Sequence, residues 1–143
     1  MVHDLLTLQA YFEAFKDTLG IKDVCWGNTD DILNRKSKII RYPCLWVELM
    51  DETDDADDMP EFAVRLTLQQ QTGNDPRDKD RITLNTLRNT LKKVVKTMRD
   101  THSPNQINFF PQKVTYFFKE AFAGDNELLV GCELRIGGAK MCD

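Results

Sequence analysis

Two histidines, four cysteines and one dense block of acids are the residues of this chain best able to do chemistry. A nucleophilic triad needs a nucleophile, a base and an orienting group brought together. His3 lies in a terminal segment, and His102 ends a helical pattern, where a charged imidazole favours the helix dipole. No GxSxG is present. The paired glycines Gly137 and Gly138 follow a strand pattern and precede no helix, so they make no phosphate cradle. Cys25, Cys44, Cys132 and Cys142 are scattered and form no CxxC pair, which argues against zinc. They read as four reduced thiols, with Cys44 and Cys132 as small strand residues. No catalytic residue, metal ligand or cofactor is assigned, and the motifs do not specify an enzyme.

The acid block is residues 51–58, DETDDADD, and it invites a calcium reading. In an EF-hand loop Asp51, Thr53, Asp55 and Asp57 would take the first, third, fifth and seventh positions. The turn glycine would then be Ala56 and the bidentate glutamate Phe62, so the match fails. The block holds six of the 23 acids, and without it 17 acids face 19 bases. The net charge of −4 is thus one local feature on a nearly balanced body. No general basic field signals nucleic-acid binding.

The elements that must position these residues fit in one domain, 1–143, of 16.5 kDa. The apolar runs are far shorter than the ~20 residues of a membrane span. The start, MVHDLLTLQAYFEAF, lacks the basic region of a secretory signal, so assembly in a cytoplasm is expected. Leu5, Leu8, Phe12, Phe15 and Leu19 recur at helical spacing and predict a helix over 4–19, with Gly20 as its left-handed cap. Val24–Trp26 fits a short strand, and Thr29-Asp30-Asp31 could cap a brief turn. The basic segment Lys36–Arg41 reads as exposed.

Pro43 opens a strand over 44–50, with Leu45, Val47 and Leu49 on one face and Cys44, Trp46, Glu48 and Met50 on the other. Residues 61–71 alternate cleanly, Phe62, Val64, Leu66 and Leu68 against Ala63, Arg65, Thr67 and Gln69. The two strands predict an antiparallel hairpin with the acids at its solvated tip. Asp78 or Asp80 then caps a helix to about Arg99, with Leu84, Leu87, Leu91, Val94 and Met98 on its apolar side. A last hairpin joins 113–122 to 127–136 through Gly124-Asp125-Asn126, with Leu128, Val130, Cys132, Leu134 and Ile136 on one face of its second strand. The expected fold is α+β, a four-stranded, mainly antiparallel sheet with both helices on one face.

That fold leaves Trp46, Met50, Phe117 and Leu129 on the second sheet face, where a bulky cluster marks a contact surface between copies or partners, the alternative being cover by residues 21–42 of the same chain. The second helix also carries a basic stripe, Arg81, Arg88, Lys92, Lys96 and Arg99, about 100° from its apolar stripe. An ordinary charged helix face explains such a stripe. The sharper reading is that it meets the acids of a neighbouring copy, since a head-to-tail ring needs two complementary patches per protomer. The interface residues this nominates are Asp51, Glu52, Asp54, Asp55, Asp57, Asp58, Arg88, Lys92, Lys96, Trp46 and Phe117.

The helix LLTLQAYFEAF, the strands YPCLWVELM and FAVRLTLQQQT, the helix ITLNTLRNTLKKVVKTM and the closing hairpin follow one another in an order that resembles the tail-terminator and head–tail connector proteins of long-tailed bacteriophages. The resemblance spans nearly the whole chain and rests on order and pattern. It implies a structural virion subunit in a ring, commonly hexameric, made in the host cytoplasm. The ring would contact other tail or neck proteins and pass DNA as cargo through a channel. It implies no membrane, small-molecule or cofactor partner. A different class competes with it: a cytoplasmic acidic module that occupies a basic site on a partner protein. An enzyme comes third.

Overall fold

The computed structural model describes residues 2–27, 40–54, 59–71, 77–101, 107–119 and 127–138. The chain runs α1 (Leu5–Glu13), β1 (Asp23–Trp26), β2 (Cys44–Asp54), β3 (Pro60–Gln71), α2 (Arg77–Asp100), β4 (Ile107–Phe109), β5 (Tyr116–Lys119) and β6 (Glu127–Gly138). The α+β class and the two helices are as expected. The sheet, however, has six strands and is mixed, in the order β1-β2-β3-β6-β4, with β5 also on β6.

β1 runs parallel to β2. The connection, residues 27–43, is 17 residues long, enough for the crossover that a parallel pair requires. β4 was not expected, because three residues are too few to show an alternation. β4 and β5 share the outer edge of β6, pairing with Gly138–Ile136 and Cys132–Leu129. Pro111 lies between them and has no N–H to give a ladder, which suits the break there.

Asp4 caps α1 in a reciprocal box: the Thr7 N–H donates to its carboxylate at 2.8 Å and its own N–H donates to the Thr7 hydroxyl at 3.0 Å. The helix ends at Glu13, well short of the expected residue 19. Beyond it the chain tightens into i-to-i+3 bonds, and the Thr18 hydroxyl donates to the Phe15 carbonyl at 2.7 Å, competing with helix continuation. Asp17, Leu19 and Gly20 all have left-handed φ, so three residues rather than the expected glycine alone turn the chain. Leu5 and Leu19 are consequently exposed, whereas Leu8, Phe12 and Phe15 enter the core. α2 starts at Arg77, which makes Asp78 and Asp80 helical residues rather than caps. The expectations for 28–39 lie outside the described residues; Arg41 is exposed, as expected.

Both helices pack on one sheet face. Leu8, Phe12, Leu87, Leu91, Val94, Val95 and Met98 meet Leu45, Val47, Phe62, Val64, Leu66, Leu68, Val130, Cys132, Leu134 and Ile136. Each such side chain contributes about 1.5–3 kcal/mol by leaving water. The alternation expected for β3 and β6 therefore selects the core correctly.

The second face departs from expectation. Trp46 is only 2% exposed, and Cys44, Thr67, Gln69 and Leu129 are buried beside it. The register sets Cys25, Trp46, Thr67, Gly131 and Phe117 in one row across five strands. An indole already buried in one chain is not an open contact surface, so the expectation for Trp46 is corrected; it is a second-face core residue. The Thr67 hydroxyl is buried with no hydrogen-bond partner among the described residues. Thr67→Val keeps the shape and removes that unmet group, and should raise stability by about 1 kcal/mol. The denaturant midpoint reads this directly, and a fall would show that the hydroxyl is satisfied.

Candidate functional site

The β2–β3 hairpin forms as predicted, but its acids are not all at the tip. β2 continues to Asp54, which pairs with Pro60, so Asp51, Glu52 and Asp54 are strand residues. Asp55, Asp57 and Asp58 lie outside the described residues. A bulge sits between Leu49 and Asp51, where Met50 has no partner on β3. One extra residue reverses the parity of everything after it. Asp51 would otherwise follow Leu45, Val47 and Leu49 onto the helix face. Through the bulge it joins Ala63, Glu61 and Arg135 on the second face.

There it meets a ladder of charges. Arg135 donates from Nε to Glu61 at 2.8 Å and from Nη2 to Asp51 at 3.4 Å. One strand-step along, Arg65 donates from Nη2 to Glu133 at 2.8 Å and from Nη1 to Glu48 at 3.2 Å. The hydrogen bond that Arg65 donates to Glu133 leads the causes that hold its guanidinium charged even more firmly than usual. These partly exposed pairs fix register across β2, β3 and β6 more than they add stability. Glu52 and Asp54 are exposed and form no ion pair among the described residues.

The basic stripe of α2 lies along the opposite edge. The Lys92 ammonium sits over the Tyr116 ring at 5.4 Å, and the Arg99 guanidinium over the Phe109 ring at 5.2 Å. These cation–π contacts dock the stripe against β5 and β4. Arg88 is half-buried and donates to Asn89 at 3.1 Å, while Lys96 is exposed. Between acids and bases lie three strand spacings, about 14 Å. That exceeds the Debye length of ~8 Å, so salt largely screens the attraction between the two sets within a chain. Phe117 is half-buried, its ring over Gly131, and the neighbouring Phe118 is the more exposed.

Two hollows remain. An open groove of about 530 Å³ on the second face is flanked by Met50 and Phe110, which are 44% and 52% exposed. Its carboxylates, Asp51 and Glu133, are engaged by Arg135 and Arg65. A smaller, mainly apolar hollow of about 360 Å³ lies between the ends of the two helices, lined by Tyr11, Phe15, Leu19 and Thr97. Its titratable group is Tyr11, whose phenol burial pushes upward and whose hydroxyl lies 3.0 Å from that of Thr101. Neither hollow sets a nucleophile against a base. His102 lies outside the described residues, and His3 is near Asp4 at 3.4 Å. Among the described residues no three metal-ligating side chains converge, and no helix is long and apolar enough to cross a membrane.

The charge ladder and the bulge were missed in the sequence. Glu48, Arg65 and Glu133 do occupy the polar positions of three strands, a signal that register alone turns into contacts. The bulge left no mark. Against known proteins, no family model matches this chain and no curated protein matches it. The functional reading therefore rests on the geometry.

Proposed function

We propose that this chain is a structural subunit that assembles head to tail into a closed ring at a phage tail terminus or head–tail junction. The observation that carries the reading is the placement of two unlike charged patches on opposite sides of one sheet. Unlike charges on one side would neutralise within the chain; set at opposite edges, they are complementary only between copies. β1 pairs with residues 44–47 alone, so β2 from Glu48 to Asp54 has no outer strand partner among the described residues. Of the acids on this stretch, Glu48 and Asp51 are paired with Arg65 and Arg135 in the same chain, so Glu52 and Asp54 are the ones left to face a neighbour. The facing surface on the next copy would be Lys92, Lys96 and Arg88 beside β5.

The ring would use other tail or neck proteins as its axial partners and DNA as passing cargo, and would need no cofactor. A hexamer is the expected closure. Acids that face the channel would repel the DNA backbone and let it slide.

Light scattering on a sizing column, over concentration and salt, tests this. A defined multimer that loosens as salt rises is expected, because exposed charge pairs are screened. Lys92→Glu with Lys96→Glu should lower the mass, and adding Glu52→Lys with Asp54→Lys should restore it. An unchanged multimer in the lysine variant at low salt would sink the charge pairing. A monomer throughout would favour the acidic module, whose exposed Glu52 and Asp54 would then fit a basic partner.

A further inference from the structure

Cys25 and Cys44 were read from the sequence as unrelated thiols, yet the parallel pairing of β1 and β2 sets them diagonally across adjacent strands. Cys25 stands opposite Trp46 and Cys44 opposite Asp23, with the Val24–Leu45 pair between. Val24 packs against the helix-face core, so Cys25 and Cys44 share the second face. Their sulfurs are 3.4 Å apart, the Cys44 thiol donating to Cys25. Both are thiols here. Cys44 is fully buried and Cys25 half-buried, so Cys25 is the side chain a small reagent meets first. Cys132, by contrast, is buried in the helix-face core.

We propose that Cys25 and Cys44 are a redox pair, which a small-molecule disulfide of the glutathione type converts to a disulfide that locks β1 onto β2. The accessible Cys25 thiolate attacks one sulfur of the reagent and expels one thiolate, leaving a mixed disulfide. Cys44 then releases its proton and attacks the Cys25 sulfur, expelling the second thiolate. Two protein thiols and one reagent disulfide become one protein disulfide and two reagent thiols. The reagent is reduced by the two electrons that the protein loses. The roles follow from exposure, and the hydrogen bond to Cys25, with burial, pushes the Cys44 thiol upward, which suits a resolving rather than an attacking sulfur.

Closure needs the sulfurs to move from 3.4 Å to the ~2.05 Å bond length, and because diagonal neighbours stand about 7–8 Å apart at Cα, β1 must also draw slightly toward β2. The effect on the fold is concentrated at one weak point. β1 holds the sheet edge through four residues of parallel pairing. A covalent tie between strands joined through residues 27–43 removes unfolded-state freedom and stabilises the folded chain.

The test uses the full chain carrying Cys142→Ser, treated with oxidised or reduced glutathione, then alkylated in denaturant and mapped by mass spectrometry. The expected product has lost two hydrogens, links the Cys25 and Cys44 peptides, and leaves Cys132 alkylated. Its Tm should rise by several degrees and return on reduction. Cys44→Ala should stop the sequence at a glutathione adduct on Cys25, and Cys25→Ser should leave Cys44 unmodified. A stable adduct on Cys25 in the chain that keeps Cys44 would overturn the proposal. So would a link to Cys132, or two unreacted thiols under conditions that oxidise the unfolded chain.

Discussion

Trp46→Ala should lower stability by about 3–5 kcal/mol, and by the same amount at every protein concentration. The indole is 2% exposed within a single chain, in a row with Cys25, Thr67, Gly131 and Phe117. Removing it leaves a cavity where the sheet has little means of collapse, since β2 is tied on both sides. Urea unfolding at two widely separated concentrations checks the claim. A loss below ~1 kcal/mol, or one that appears only when the chain is concentrated, would mean that the indole is covered by another copy. The outcome also bears on assembly. With Trp46 committed to its own chain, a ring would draw instead on the charged edges and on exposed apolar side chains such as Met50, Phe110 and Phe118.

That prediction turns on a limit of sequence reading. In β3 and β6 one apolar face alternates with a polar one, and Phe62 to Leu68 and Leu128 to Ile136 announce their faces unaided. α2 does the same at a period of 3.6. Trp46 does not. An aromatic residue on a second face looks alike whether its own chain or a neighbour covers it, because alternation records which side a residue is on, never what lies there. Parallel pairing of β1 left no local signal either, since it depends on how the chain returns after residue 27. The bulge at Met50 moved Asp51 to the other face, and only cross-strand register reveals it. The basic stripe was legible as a stripe, whereas its seat on Tyr116 and Phe109 came from tertiary packing against strands too short or too broken to anticipate. Thus the core and the charges could be read from the residues, and their relative placement, on which the proposed function rests, could not.

Gly131 shows the same limit at the scale of one atom, and its replacement has the second large effect. A Cβ at this position would lie 2.3 Å from Cζ of Phe117, 2.6 Å from its Cε2 and 3.0 Å from the Leu66 carbonyl oxygen. Gly131→Ala should therefore cost about 1–3 kcal/mol as the ring is pushed off the sheet. Phe117→Ala alone should cost less, because the ring is only half-buried. The combined variant is the decisive measurement. With the ring gone, the added methyl has room on that side, so the double change should cost clearly less than the sum of the two. Simple additivity would mean that the backbone contact with Leu66, not the aromatic ring, makes glycine necessary. Coupling would establish Phe117 as the cover of β6, paired with a glycine on its own chain. An interface built on this edge would then meet only the outer side of that ring, and Phe118, whose side chain projects from the opposite face, would be the more open anchor for a neighbouring copy.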